Sequence, residues 1–352
     1  MTMQGCMAPK GFHVWLESEL VSLGLMNSKL SIRLSPLGGD AGFRQYYRIA
    51  ESEGVLAVYA PVDTEDSKQF CLIAKYLREN GIRAPRVFAQ DYSQGFMLIE
   101  DFGRQMLLPA LDHNSVDGYY GEALNVLLRL QQSPLDGSVF PPYDAAVLLT
   151  EMRVCLEWFI DALLGIKLNA AEHAIFEDAF EQINQCCLAQ EQVVVHRDFH
   201  SRNIVLTGCG NLGIIDFQDG LIGPLCYDLV SLLKDCYIRW PRQKVETWAL
   251  AYAAMLNNVG VRVHNDPQVF LRDFDLMGLQ RHLKVLGVFA RLNLRDNKGV
   301  YLRDLPRVLG YIDEVLDLYP EFSALRELFD QRLYPNIKSQ PWFCVSSECS
   351  PS

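Results

Sequence analysis

The chain has 352 residues, 49% of them hydrophobic and 21% charged, which is the balance of a folded globular protein and excludes a mainly disordered one. That length exceeds what one hydrophobic core usually serves, so two lobes are expected. A formal net charge of -11 excludes broad electrostatic capture of nucleic acid or an anionic membrane and leaves small molecules as the expected partners.

Taken in chain order, residues 1 to 30 are expected to hold one helical segment, because "GFHVWLESELVSLGL" has apolar residues at helical spacing. "SIRLSPLGGDAGFRQYYRIA" and "GVLAVYA" read as strands around a glycine turn. "TEDSKQFCLIAKYLRENG" reads as one helix, with Thr64 as its N-cap and Gly81 as its stop. "RVFAQDYSQGFMLIED" follows as a hairpin that turns near Ser93 to Gly95. Residues 31–102 therefore form a small lobe with a mixed sheet and one helix, and the chain is expected to be α+β. From 103 to 335 helical patterns dominate, beginning at "SVDGYYGEALNVLLRLQQ" and "YDAAVLLTEMRVCLEWFIDALLG" and ending at "LPRVLGYIDEVLDLY". Residues 336–352, ending "CVSSECSPS", lack periodicity and are expected to be flexible.

The ten cysteines are dilute in a chain of this length, and no pair of C-x-x-C motifs is present. Cys71, Cys155, Cys226 and Cys236 sit inside apolar patterns, so reduced, mostly buried thiols are expected and a zinc site has little support. "MTMQGCMAPKGFHVWLESEL" has no basic region followed by an apolar run of leader length, and no stretch approaches about 18 apolar residues. The expected location is the cytoplasm.

One segment interrupts the helical half. In "VVVHRDFHSRNIVL" a buried-strand pattern runs into a polar burst at His196, Asp198, His200 and Asn203. Asp198 and Asn203 lie five residues apart, and the strand pattern of "LGIIDFQDG" delivers Asp216 thirteen residues after Asn203. Two carboxylates and an amide oxygen at strand ends suit a hard cation such as Mg²⁺, which takes few protein ligands and completes its shell with phosphate and water. In such a site Asp198 accepts or orients the proton of an attacking hydroxyl, while Asn203 and Asp216 hold the metal. A lone D-x-x-x-x-N would more often be ordinary loop chemistry; its delivery by a strand, followed by "IIDFQD", is what points to phosphoryl transfer. His196 is expected to brace the loop. Arg197 either offsets negative charge or lies at the surface. His200 and Asp219 are candidate substrate contacts, though His200 suits packing equally well.

"HRDFHSRN" resembles the kinase catalytic loop, and "IIDFQDG" resembles the metal-binding segment that follows it. The mostly helical second half and "GPLCYDLVSLLKDCY" are similar to the aminoglycoside phosphotransferase and choline kinase family, over roughly residues 10 to 330. Within it, "GGDAGFRQYYR", "LIEDFG" and "IIDFQDGLIGPLCYDLVSLL" look like the bacterial N-acetylmuramate/N-acetylglucosamine anomeric kinases of cell-wall recycling. The resemblance implies a bilobal protein-kinase-like fold, ATP and Mg²⁺ as cofactors, and a sugar 1-phosphate as product. It also implies that Asp228 is a buried acid anchoring the catalytic loop.

Gly38, Gly39 and Gly42 suit a turn whose amides approach phosphates, although Gly-Gly-Asp is also an ordinary hairpin turn. The backbone of Glu100 to Phe102, in "LIEDFG", suits an adenine edge. The chain departs from the kinase pattern where V-A-I-K is expected: "LAVY" puts Tyr59 at the lysine's place and Phe70 near the place of its glutamate partner. Arg44 and Arg48 are then the nearest cations for the phosphates. No A-P-E segment follows Asp216, which favours a small hydroxylated acceptor over a peptide. Trp158, Arg281, Arg291 and Arg295 suit an acceptor pocket but are equally good surface or core residues. A monomeric ATP-dependent amino-sugar kinase is the expectation. A kinase for choline, an aminoglycoside or another sugar, or a nucleotide-binding pseudokinase, are the alternatives.

Overall fold

The computed structural model describes residues 9–27, 31–37, 43–208 and 211–344. The chain condenses into two units, residues 1–119 with 202–219 and residues 120–201 with 220–352.

In the first unit, α1 (Phe12–Ser22) precedes strands β1 (Leu34–Leu37), β2 (Gln45–Ile49) and β3 (Val55–Tyr59), helix α2 (Ser67–Glu79), and the hairpin β4 (Val87–Asp91) and β5 (Phe96–Glu100). The strands form one antiparallel sheet in the order β1-β2-β3-β5-β4. Strand alternation sorts the side chains. Tyr47, Ala57, Tyr59, Phe96 and Leu98 share one face and pack against Phe12, Leu16 and Leu20 of α1, with the Phe12 ring 4.8 Å from that of Phe96. Each large apolar side chain buried there contributes roughly 1.5–3 kcal/mol. Val58 and Met97 are cross-strand neighbours on the other face, where Met97 Sδ lies 3.7 Å from Cys71 Sγ of α2.

Tyr59 therefore faces α1, in an edge arrangement with Phe96 and ring centroids 6.0 Å apart. The β3 residues on the opposite face are Leu56 and Val58. The helix cap also differs from expectation: Asp66, not Thr64, accepts the Gln69 N–H at 2.9 Å. Thr64 instead donates to the carbonyl of Pro61 at 3.4 Å. At the hairpin, Asp91 accepts the N–H groups of Ser93 and Gln94, and Gly95 adopts φ +70°. A Cβ at Gly95 would sit 1.9 Å from the Ala60 carbonyl oxygen, so only glycine closes this turn.

The helices that follow are α3 (Val116–Gln131), α4 (Ala145–Val154) and α5 (Ala170–Ala189), the last closed by a reciprocal Asn169–Glu172 capping box. Where sequence predicts a single helix from Tyr143 to Gly165, α4 passes into a π-helical segment, Cys155–Leu163. Gly287 packs against this junction so closely that a Cβ would lie 2.4 Å from the Val154 carbonyl. Four short strands come next, β6 (Gln192–Val195), β7 (Ile204–Leu206), β8 (Leu212–Ile214) and β9 (Leu221–Pro224), paired β6 with β9 and β7 with β8. The chain ends in α6 (Cys226–Leu233), α7 (Arg242–Asn258), α8 (Pro267–Leu294), α9 (Leu305–Leu318), α10 (Ser323–Leu328), α11 (Tyr334–Ile337) and α12 (Pro341–Cys344).

The pattern in the sequence changes at residue 103, but the contacts return the β7–β8 hairpin to the first unit. Leu107 donates to the Ile204 carbonyl at 2.8 Å, Leu206 to Gln105 at 2.7 Å and Ile214 to Arg83 at 2.8 Å. Part of the segment expected to be flexible is helical, with Ile337 and Trp342 buried; residues from 345 onward lie outside the described ones. Among the described residues the cysteines are unpaired thiols, and no helix is long and apolar enough to cross a membrane.

Candidate active site

The residues of "HRDFHSRN" divide between the units in sequence: His196 to Ser201 belong to the second, Arg202 to Asp219 to the first. In the second unit β6 buries Val193 to Val195 and ends at His196. The fully buried carboxylate of Asp228, in the first turn of α6, accepts the backbone N–H groups of His196 (2.6 Å) and Arg197 (3.0 Å). Burial pushes its pKa up to about 7, against the pull of those same two donors. Asp228 thus pins the loop at Arg197, whose φ of +74° lies in the left-handed region that non-glycine residues avoid at a cost of about 1–3 kcal/mol.

The Arg197 guanidinium is held as well. It pairs with Glu151 of α4 and lies over the Tyr143 ring, 5.5 Å from its centroid. Glu151 also accepts from the Tyr143 hydroxyl and from Gln280, and pairs with Lys284 of α8 at 2.9 Å. Burial pushes Glu151 up, yet Lys284 and Arg197 hold it below the ordinary carboxylate range.

Asp198 stands in the middle of this network. Its backbone N–H donates to His196 Nδ1 at 3.3 Å, and its carbonyl accepts from the His200 N–H at 2.9 Å. Burial pushes its carboxyl pKa up, but His200, Arg281, Lys284 and His196 together outweigh that and keep it low. A half-buried carboxylate that stays ionised suits a group that orients a hydroxyl and receives its proton. The His200 ring meets the edge of Tyr237 at 5.3 Å, and Ser201 is anchored through its N–H to Asp235 at 3.0 Å.

In the first unit the β7–β8 hairpin brings Asn203 and Asp216 together. Ile215 N–H donates to the Asn203 carbonyl, and Asn203 Nδ2 lies 3.3 Å from Asp216 Oδ2. Gln218 donates to the other Asp216 oxygen at 2.8 Å. Asp216 is exposed and holds φ +64°, a second left-handed non-glycine residue. A carboxylate next to an Asn side chain, whose amide oxygen can turn to a cation, fits a hard divalent ion that keeps much of its shell for phosphate and water. Asp219 is exposed on the same segment.

Of the candidate nucleotide residues, Gly38, Gly39 and Gly42 lie outside the described residues. Arg44 and Arg48 do not act together. Arg48 makes a forked pair with Asp101 (2.7 and 3.2 Å) and donates to the Gly103 carbonyl at 2.7 Å, which holds "EDFG" in place. Arg44 pairs with Glu65 at 2.7 Å. The Glu100 N–H is used by the Arg86 carbonyl, and its side chain pairs with Arg78 and Arg83. Phe102 lies over Gly213, where a Cβ would come within 2.5 Å of the ring.

A model of the phosphotransferase enzyme family matches residues 33–266, two thirds of the chain, from β1 through α7. The chain belongs to this phosphotransferase family. Among its relatives, a Pseudomonas putida protein named N-acetylmuramate/N-acetylglucosamine kinase is 36% identical over 90% of this chain and 94% of its own. A Pseudomonas aeruginosa protein of the same name is 36% identical over 89% of this chain and 94% of its own. The fold is that of a crystal structure of an ADP-bound aminoglycoside phosphotransferase, with a TM-score of 0.56 and 16% identity over 85% of this chain and 98% of that one. The bilobal kinase-like fold expected from the motifs is therefore borne out.

Sequence reading did not find Glu65, Glu151, Lys284 or Asp235. Glu151 and Arg197 are 46 residues apart, and no local pattern joins them. Arg281, read as suiting an acceptor pocket, the surface or the core equally well, is buried, donates to Ser231 at 2.7 Å and contributes to the low pKa of Asp198.

Proposed function

We propose that this phosphotransferase uses ATP to phosphorylate the anomeric hydroxyl of N-acetylmuramate and N-acetylglucosamine, in the cytoplasm, as a step in reuse of cell-wall sugars. The observation that carries the acceptor is the 36% identity, over nine tenths of the chain, to proteins named for those two sugars. Only nine residues separate Asp216 from α6, which leaves no platform for a peptide and supports a small acceptor.

In this reading Asp198 receives the proton of the anomeric hydroxyl. A hemiacetal hydroxyl is more acidic than an ordinary alcohol, so a carboxylate whose pKa is held low by His200, Arg281 and Lys284 is basic enough, and it is ready in its ionised form. Asp228 and Glu151 fix the loop, so the carboxylate need not reorganise when the hydroxyl arrives. Asn203 and Asp216 would hold Mg²⁺, which when bound supplies neutralising charge to the phosphates. Strain at Arg197 and Asp216 is retained at the two positions whose geometry this chemistry uses.

The test is ATP consumption with Mg²⁺ across N-acetylmuramate, N-acetylglucosamine, choline and kanamycin. Turnover with both N-acetyl sugars is expected. Turnover with choline or kanamycin alone would overturn the acceptor, and nucleotide binding without turnover of any acceptor would overturn the activity.

A further inference from the structure

The family's phosphate-binding lysine has no counterpart on β3. Val58 occupies the face toward α2, and Tyr59 points the other way into the α1 cluster. A nucleotide carrying several negative charges still needs a cation near its phosphates.

Arg44, immediately before β2, supplies one. By strand alternation it shares a face with Tyr46, whose cross-strand neighbour is Val58. Arg44 is only 8% exposed; its Nη2 lies 2.7 Å from Glu65 Oε2, and its guanidinium sits 5.0 Å above the Phe70 ring. The other Glu65 oxygen accepts the Phe43 N–H at 3.0 Å. One carboxylate thus fixes both the guanidinium and the backbone at Phe43, the residue before it.

Two observations separate this pair from a structural salt bridge. First, Arg44 Nε is buried and has no hydrogen-bond partner among the described residues, so one guanidinium donor is left over beside the contacts to Glu65 and Tyr46. Second, the same face leads to Asp216: Phe70 packs on Phe217 at 4.9 Å, and Tyr46 lies within electrostatic reach of Arg44, Glu65 and Asp216. Arg48 is excluded from the role by its forked pair with Asp101.

We propose that Arg44, held by Glu65, is the cation that binds the nucleotide's α- and β-phosphates, taking over from β2 and the loop before α2 the work of the usual β3 lysine and its helix glutamate. The fork lets one guanidinium nitrogen stay on Glu65 while others face phosphate oxygens, which a single ammonium could do less well. This rests on the ATP-dependent reading above for its nucleotide but not for its acceptor.

The test is calorimetric titration of the full-length protein with adenosine, AMP and ADP, the last with Mg²⁺. Arg44→Ala is expected to weaken ADP roughly ten- to a hundredfold while leaving adenosine within about twofold. Arg44→Lys should lose less than Arg44→Ala, and Glu65→Gln should lose ADP affinity in the same selective way. Arg33→Ala, which removes an exposed pair with Glu51, should change neither ligand. If Arg44→Ala does not fold, Arg44→Lys and Arg44→Gln decide the matter, because the proposal requires Gln to bind ADP more weakly than Lys at equal adenosine affinity. Equal losses for adenosine and ADP, or no loss for either, would overturn it. A wild-type protein that binds neither nucleotide would instead overturn the ATP-dependent reading.

Discussion

Around Asp198 the second unit fixes each charge several times over, with Glu151 shared by Arg197, Lys284, Tyr143 and Gln280, and Asp228 by two backbone amides. In the first unit the metal-type pair stands in the open: Asn203 and Asp216 meet at 3.3 Å, Gln218 donates to Asp216 at 2.8 Å, and Asp216 is exposed. The difference fits the roles proposed for the two groups. A proton acceptor works in one position only, so its surroundings have to exclude the others, whereas ligands of a hard cation can settle around their ion.

The largest effect that would break this contrast is loss of Glu151. Removing one partner from a buried ion network strands the rest, so Glu151→Ala should cost about 3–5 kcal/mol of unfolding free energy in a denaturant titration. A cost near zero would show that the loop is not held from α4.

His282 of α8 offers a pH test of the same packed region. Burial pushes its pKa down from 6.5 to about 3, its Nε2 lies 3.0 Å from the Lys234 carbonyl, and its ring stacks on Tyr311 at 4.7 Å. The unfolded chain takes up a proton near pH 6.5 that the folded chain refuses, so stability falls as pH drops from 6.5 toward 3. His282→Gln should flatten that fall by about 1.4 kcal/mol per pH unit, read from unfolding curves between pH 4 and 6.

The smallest effect lies in the first unit. Asp216→Gly removes a left-handed non-glycine residue and should leave stability unchanged or raise it by roughly 1 kcal/mol, while abolishing turnover. A large loss of stability there would erase the contrast between the units.

Much of this was legible in the sequence, and for local reasons. The β4–β5 hairpin was readable because Asp91 and Gly95 dictate the turn by themselves. "HRDFHSRN" and "IIDFQD" were readable because strand ends carry their polar groups in fixed order, and the hairpin does bring Asn203 to Asp216. What could not be read was set by packing. Alternation in "VLAVY" gives two faces but does not say which one α1 covers, and it is the face of Tyr59. Thr64 and Asp66 are both good caps, and only the path of the preceding turn selects Asp66. Arg44 and Arg48 share one strand face, yet they find different carboxylates 21 and 53 residues away in sequence.

The most direct test of the account is phosphorus NMR of the product formed from N-acetylmuramate and ATP by the wild-type protein and by Asp198→Asn. The account predicts phosphate on the anomeric oxygen, formed at least about a hundredfold more slowly by the variant. Phosphate on any other hydroxyl, or an unchanged rate with Asp198→Asn, would contradict it.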